Sequence, residues 1–238
     1  MTDRLAELQA SVATVRARIA AACSSADRDP SEITLVAVTK TFPASDVMLL
    51  SQLGVTDIGE NRDAEAAPKA AACAAAGIAV RWHFVGQLQV NKVASVAGYA
   101  DMVHSVDRPR LVDALGRRSL AAGRVTGCLV QVSLDEPGQQ AAARGGAAPA
   151  EVLDLAAAIA AHESLQLSGV MGIAPLGQPA RPAYARLAEI AATVRAAYPG
   201  AQVISAGMSG DMGEAIAEGA THVRIGTALL GGRPPFLR

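Results

Sequence analysis

The chain has little of several features that mark particular classes of protein. Aromatic residues make up 3% of its 238 residues, and its three cysteines, Cys23, Cys73 and Cys128, show neither CxxC nor metal-ligand spacing. A sparse, odd number of cysteines argues against a disulfide scaffold and predicts a reducing compartment. The formal net charge is −1, so the chain lacks the basic surplus typical of proteins that bind nucleic acids or membrane surfaces.

Long apolar stretches are missing as well. No apolar run in the sequence is long enough to cross a bilayer. The N-terminus carries Asp3, Arg4 and Glu7 where a signal peptide would have a continuous apolar core. We therefore predict a cytoplasmic protein with neither a membrane partner nor a nucleic-acid partner.

What the chain does have is a regular alternation of strand and helix patterns. Hydrophobic residues make up 51% of the sequence, and most are Ala, Val, Leu and Ile, as expected when helices cover branched strands. Strands are predicted at residues 33–40, 56–60, 80–85, 102–106, 128–134, 167–173, 202–205 and 223–226. Helices are predicted between them at residues 44–53, 62–76, 89–97, 108–122, 149–162, 181–198 and 212–218.

This alternation predicts an α/β fold, a single (β/α)₈ TIM barrel that forms one domain over residues 1–238. An open, doubly wound sheet is the alternative, but no glycine-rich dinucleotide turn follows the first strand. An extra helix at residues 3–22 should pack outside the barrel, and we expect a monomer. The apolar residues of this helix recur at spacings of three and four: Leu5, Leu8, Val12, Val15 and Ile19.

Lys40 stands at the end of the first predicted strand, directly after Val38 and Thr39. In α/β folds the chemistry lies at the carboxyl ends of the strands. A lysine partly withdrawn from water there loses its proton more readily, and the neutral amine can form a Schiff base with an aldehyde. The alternative is an ordinary lysine that reaches from the strand end into solvent.

Two loops with glycines and hydroxyl groups follow the seventh and eighth predicted strands, where barrels often bind phosphate. They are Ala206-Gly207-Met208-Ser209-Gly210-Asp211 and Arg224-Ile225-Gly226-Thr227. Ser209 is predicted to be the N-cap of the next helix, and its hydroxyl and that of Thr227 are candidates to hold an anion. Asp211 would repel a phosphate unless its side chain points away. The alternative is that both loops are ordinary turns.

Two further polar residues lie within predicted strands. Arg224 is costly to bury without a partner, so we expect either a salt bridge to Glu60 or another carboxylate, or a ligand in front of the guanidinium. His83, between Trp82 and Phe84, is predicted to be a hydrogen-bonded core residue. A Schiff-base lysine near a phosphate site suggests a phosphorylated aldehyde, either pyridoxal 5′-phosphate (PLP) or the sugar phosphate of an aldolase.

Six sequence motifs occur in order along nearly the whole chain. They are Val38-Thr39-Lys40, Gly59-Glu60-Asn61, Trp82-His83-Phe84-x-Gly86-x-Leu88-Gln89-x-Asn91-Lys92, Met171-Gly172, Gly207-Met208-Ser209-x-Asp211 and Val223-Arg224-Ile225-Gly226-Thr227. Together they make the chain similar to the PLP homeostasis proteins (the YggS/PROSC family), whose fold resembles the N-terminal barrel of alanine racemase.

The resemblance implies a role for seven residues. Lys40 would hold PLP covalently as an internal aldimine, and Arg224 would face the pyridine nitrogen. The other five would bind the phosphate (Ser209, Gly226 and Thr227) or border the cofactor (Asn61 and Met208).

The resemblance also implies a protein of PLP homeostasis, without established turnover, that buffers PLP or delivers it to apo-enzymes. Racemisation needs a base on each face of the cofactor, and Tyr99, Tyr184 and Tyr198 all lie in or beside predicted helices. An arginine stays protonated, so it leaves the pyridine nitrogen unprotonated and the cofactor a weaker electron sink. We therefore expect a carrier. The alternatives are a PLP-dependent racemase or lyase acting on small amino acids, an aldolase without PLP, and a scaffold with an unused pocket.

Overall fold

Eight parallel strands close into a barrel in the computed structural model, which describes residues 2–135 and 145–232. Neighbouring strands follow the chain order from β1 to β8, and β8 pairs with β1. The strands are β1 Thr34–Val38, β2 Asp57–Glu60, β3 Arg81–Phe84, β4 Met102–Val106, β5 Thr126–Val132, β6 Leu165–Gly172, β7 Val203–Ser205 and β8 His222–Ile225. The predicted TIM barrel is confirmed, and the open sheet is wrong.

Helices follow the strands on the outside of the barrel. They are α1 Thr2–Ser25, α2 Ala44–Gln52, α3 Asp63–Ala75, α4 Val93–Tyr99, α5 Pro109–Ala121, α6 Val152–Ala160, α7 Ala180–Ala197, α8 Met212–Ala217 and α9 Thr227–Leu230. The single helix predicted at residues 89–97 is wrong in detail, because a 3₁₀ turn, Val90–Lys92, comes before α4. The short α9 was not predicted. None of the helices in the described ranges is long and apolar enough to span a membrane.

The predicted single domain over residues 1–238 includes residue 1 and segments 136–144 and 233–238, which lie outside the described residues. The predicted strands all occur within the described ranges, and their ends differ from the predictions by at most two residues. The largest consequence concerns β1, which ends at Val38, so Lys40 lies beyond the strand.

The additional N-terminal helix packs outside the barrel, as predicted. Helix α1 buries one apolar face against α2, α8 and α9. The buried residues of that face are Leu8, Val12, Val15, Ile19 and Cys23. Each buried aliphatic side chain of this size stabilises the fold by about 1.5–3 kcal/mol relative to exposure, so α1 is an integral part of this barrel.

The interior of the barrel contains a cluster of three histidines, of which His83 and His104 are buried and His222 is half-buried. His83 is buried and hydrogen-bonded, as predicted, but it is not the only histidine there. Its ring centroid lies 5.1 Å from that of His104 and 6.2 Å from that of His222. The three residues come from β3, β4 and β8, so the cluster forms only when the barrel closes.

Burial keeps two of these histidines neutral. It lowers the pKa of His104 well below the ordinary value, and the nearby His83 and Arg224 act in the same direction. Burial lowers the pKa of His222 to about 4, and His83 again acts in the same direction. The unfolded chain, with histidine pKa values of about 6.5, therefore binds more protons than the folded chain under mildly acidic conditions.

We predict that the free energy of unfolding falls as the pH is lowered from about 6.5 to 4. Each unit of pKa difference corresponds to about 1.4 kcal/mol, so His222 alone should account for about 3 kcal/mol over this range. Urea unfolding at several pH values would measure the fall. The His222→Gln variant should show a shallower fall, and an unchanged pH dependence in that variant would contradict the prediction.

Candidate functional site

The seven predicted site residues lie at one end of the barrel, on four consecutive strands. Closure of the barrel places β7, β8, β1 and β2 side by side. Lys40 follows β1, Asn61 follows β2, Met208 and Ser209 follow β7, Arg224 lies in β8, and Gly226 and Thr227 follow β8. The carboxyl ends of these strands share one rim, so residues far apart in the chain are collected in one half of that rim.

Lys40 lies in a tight turn and not at the last position of the strand. The turn continues at Thr41, whose φ of 71° is in the left-handed region. The Thr41 N–H donates to Oε2 of Glu65 at 2.8 Å, and the Phe42 N–H donates to the carbonyl of Thr39 at 3.0 Å. These two hydrogen bonds fix the backbone that follows Lys40. The side chain of Lys40 is half-buried.

A buried ion pair supports the backbone immediately before Lys40. Lys69 Nζ donates to Oε1 of Glu60 at 2.6 Å and to the carbonyl of Thr39 at 2.8 Å. The Thr39 hydroxyl donates to the same Glu60 oxygen at 2.7 Å. The proposed salt bridge between Arg224 and Glu60 is therefore wrong, because Glu60 pairs with Lys69 instead.

Burial raises the pKa of the Glu60 carboxyl above its ordinary value, and the hydrogen bonds from Lys69 and Thr39 oppose that rise. Our sequence analysis missed Lys69. A signal was available, since Lys69 shares the buried face of α3 with Ala66, Ala70 and Cys73, at the spacing of an apolar stripe. A lysine within such a stripe needs a buried partner.

Arg224 is 5% exposed and is held by hydrogen bonds. Its Nη1 donates to the carbonyl of Ser205 at 2.8 Å and to the Ser205 hydroxyl at 2.6 Å, and its Nη2 donates to the carbonyl of Gly172 at 3.0 Å. Three of its five N–H groups are thus engaged. Burial lowers the pKa of Arg224, yet an arginine remains protonated in a protein.

The loop after β7 is shaped by Asp211. Its Oδ1 accepts the Met208 N–H at 2.6 Å, and its Oδ2 accepts the Tyr184 hydroxyl at 2.7 Å. Both carboxylate oxygens are therefore directed at groups of the protein. The prediction that Ser209 caps the next helix is wrong, because the N-cap of α8 is Asp211. Gly207 has φ +89°, and a Cβ there would lie 2.7 Å from Cβ of Ala215, so this turn requires glycine.

Helix α1 contacts both loops through arginines that our sequence analysis did not link to the site. Arg18 Nη2 donates to the carbonyl of Ser209 at 2.6 Å. Arg4 Nη2 donates to the carbonyl of Leu230, at the end of α9, at 3.1 Å and to Oδ2 of Asp46 at 2.7 Å. The extra helix therefore holds the segments that carry Ser209 and Thr227.

The site has free polar groups that suit a ligand with both hydrogen-bond donors and acceptors. The side-chain oxygens Thr41 Oγ1 and Asn61 Oδ1 are buried without a hydrogen-bond partner. Thr227 is exposed at the first position of α9, where backbone N–H groups have no partner within a helix. A cavity of about 300 Å³ opens beside Asn61, and Lys92 lies exposed on its lining.

Comparison with known proteins is consistent with this geometry. The profile of the alanine racemase N-terminal domain matches residues 11–234. A pyridoxal phosphate homeostasis protein from Mycobacterium bovis is 43% identical, over 97% of this chain and 95% of its own length. One from Escherichia coli (strain K12) is 37% identical, over 93% and 95%. The chain belongs to the pyridoxal phosphate homeostasis protein family. The resemblance inferred from the six motifs is thereby confirmed.

Solved structures place the family among related barrels. PipY of Synechococcus elongatus PCC7942, solved with PLP bound, has a TM-score of 0.80 and 30% identity, covering 94% of this chain and all of its own. An alanine racemase of Clostridium difficile 630 has a TM-score of 0.72 and 13% identity, covering 97% of this chain and 58% of its own. At that identity the racemase shows only that the family shares its barrel fold.

We predict that Lys69→Met lowers the free energy of unfolding by about 3–5 kcal/mol, because it leaves Glu60 buried and unpaired. Chemical denaturation would measure the loss. Lys92→Met, at an exposed position, is the matched control and should change stability by less than about 0.5 kcal/mol. Adding Glu60→Gln to Lys69→Met should restore part of the loss. Equal effects of the two lysine substitutions would contradict the assignment.

Proposed function

We propose that this protein binds PLP covalently at Lys40 and takes part in PLP homeostasis as a carrier or buffer. The observation that carries the proposal is the position of Lys40, a half-buried lysine on the same rim as two hydroxyl-bearing loops. The names of the curated relatives and the PLP bound to PipY support the choice of cofactor.

Each proposed contact uses a group with the right chemistry. PLP carries an aldehyde, with which the Lys40 amine would condense to a Schiff base with loss of water. The phosphate would accept hydrogen bonds from the hydroxyls of Ser209 and Thr227 and from the backbone N–H groups at the start of α9. Gly226, directly before α9, lets the backbone approach the phosphate closely. Asp211 does not oppose this arrangement, since its carboxylate is engaged by Met208 and Tyr184.

The other proposed contacts concern the ring of the cofactor. Arg224 uses one of its remaining N–H groups to donate to the pyridine nitrogen, while Asn61 and the side chain of Met208, which is 41% exposed, border the ring. A protonated arginine can only donate, so the nitrogen stays unprotonated and the ring withdraws electrons weakly. This favours storage of the cofactor over carbanion chemistry.

Two of the three tyrosines, Tyr184 and Tyr99, also favour a carrier. Tyr184 is 2% exposed and donates to Asp211, and burial raises its pKa. Burial likewise raises the pKa of Tyr99. Neither hydroxyl is suited to remove a proton at neutral pH. The alternative of a racemase or lyase acting on small amino acids has no comparable observation in its favour.

We further propose that PLP leaves by transfer of its aldehyde carbon from Lys40 to another amine, and that apo-forms of PLP-dependent enzymes receive it. The protein would act in the cytoplasm as a monomer. The three cysteines are unpaired and buried, which supports a reducing compartment.

We predict that borohydride reduction of the PLP-treated protein leaves a pyridoxyl group on the peptide that contains Lys40. Peptide mass mapping would locate it. Lys40→Arg should abolish this adduct, whereas Lys92→Arg, the matched control on the same face of the barrel, should retain it. A protein that carries no adduct after addition of PLP would overturn the cofactor assignment and favour the aldolase.

We also predict that the PLP-loaded protein does not accelerate α-proton exchange of small amino acids beyond the rate with free PLP. The reason is the weak electron withdrawal expected from a ring whose nitrogen accepts a hydrogen bond from Arg224. Proton NMR of alanine in D₂O would measure the exchange, with an authentic alanine racemase as positive control. Rapid exchange that disappears in Lys40→Arg would establish the racemase or lyase instead.

A further inference from the structure

A chain of buried hydrogen bonds crosses the barrel interior from Arg224 to Asp57. Arg224 Nη1 lies 2.6 Å from Ser205 Oγ, and Ser205 Oγ lies 2.9 Å from His104 Nδ1. His104 Nε2 lies 2.9 Å from His83 Nδ1, and His83 Nε2 lies 2.9 Å from Asp57 Oδ1. Ser205, His104 and His83 are at most 1% exposed. Among the residues that these hydrogen bonds link, only Arg224 has a role in the proposed function.

When both imidazoles are neutral, the carboxylate of Asp57 determines the direction of every hydrogen bond up to Arg224. Arg224 can only donate, and an ionised Asp57 can only accept. With neutral histidines, the Ser205 hydroxyl must then donate to His104 Nδ1. His104 must donate from Nε2 to His83, and His83 must donate from Nε2 to Asp57. The opposite direction would leave His83 Nε2 and the Asp57 carboxylate facing each other with no proton between them.

Two observations support an ionised Asp57 and a neutral His104. The hydrogen bond from His83 lowers the pKa of Asp57 below its ordinary value despite the burial of the carboxyl. Burial lowers the pKa of His104 well below its ordinary value. Other charged or titratable groups lie near these residues. Arg81 Nε is 3.8 Å from Asp57 Oδ1, the ring of His222 lies beside that of His83, and Asp211 and Tyr184 act on Arg224.

We infer that Asp57, His83, His104 and Ser205 are positioning residues that orient the Arg224 guanidinium toward the pyridine nitrogen of PLP. The inference rests on the proposed function. The Ser205 hydroxyl, committed as a donor to His104, presents its lone pair to Arg224 Nη1. The carbonyls of Ser205 and Gly172 accept hydrogen bonds from two more N–H groups of Arg224. The guanidinium is therefore held in one orientation, and its unused N–H groups point in a fixed direction.

The hydrogen-bond chain from Arg224 to Asp57 also has an electrostatic effect. Asp57 and Arg224 have opposite charges at its two ends, and hydrogen bonds that all run the same way polarise one another in a medium of low dielectric constant. Asp57 stands at the start of β2 and has a side chain that is 16% exposed, so it can be altered without touching the cofactor.

The test compares PLP with its 1-deaza analogue, in which carbon replaces the pyridine nitrogen. The ratio of the two dissociation constants isolates the contact to that nitrogen, because every other contact is common to both ligands. We expect the native protein to favour PLP by about tenfold or more, as for a hydrogen bond from a charged donor. Ser205→Ala and Asp57→Asn should each reduce this preference at least about threefold.

Ser105→Ala is the matched control, since Ser105 is 1% exposed on β4 but its hydroxyl has no hydrogen-bond partner. It should leave the ratio unchanged. If Ser205→Ala and Asp57→Asn weaken both ligands equally and keep the ratio of the native protein, the residues are merely structural and the inference is overturned. If the native protein binds no PLP, the proposed function fails and the inference fails with it.

A second measurement is independent of the ligand and of any variant. Two-bond ¹⁵N–¹H correlation spectra of the native, ligand-free protein at pH 7 report the tautomer of each imidazole. We expect both His83 and His104 to be neutral and protonated on Nε2. A His104 protonated on Nδ1, or a doubly protonated His83, would reverse the donor–acceptor direction of the hydrogen bonds and overturn the inference.

Discussion

Pairing between the first and last strands is the interaction on which the site depends. Residues Thr34 to Ala37 of β1 align with His222 to Ile225 of β8 in parallel register, and this pairing turns a row of strands into a closed barrel. It places the turn that carries Lys40 next to the loop that carries Gly226, although most of the chain separates them. Without closure, neither the rim nor the interior histidine cluster would exist.

The folded protein encloses buried space in which charged groups are stable only with partners. Lys69 of α3 and Glu60 of β2 form one buried pair between the barrel and its outer helices, behind Lys40. Inside the barrel, the hydrogen-bonded chain from Arg224 to Asp57 joins groups of opposite charge. Both lie next to the candidate site. Under the proposed function, these polar groups orient Lys40 and Arg224.

The site combines parts common to many barrels with parts particular to this chain. Phosphate-binding loops after the last two strands occur widely in TIM barrels, and fold alone does not establish function. Helix α1 is a more specific feature, because Arg18 and Arg4 tie it to the segments that follow β7 and β8. Helix α1 precedes the barrel in the sequence and yet contacts the part of the rim that follows β7 and β8.

The sequence by itself determined the order of strands and helices, the barrel, and the placement of Lys40 and the two loops at strand ends. These follow from local apolar periodicity and from breakers such as Pro43, whose effects act within a few residues. Only the tertiary structure decided which partners the buried polar groups take: Lys69 for Glu60, Tyr184 for Asp211, and Ser205 and Gly172 for Arg224. Those pairs join separate elements, and several acceptors compete for each donor. The choice between them depends on distances of a few ångströms, which barrel closure sets and local sequence patterns do not encode.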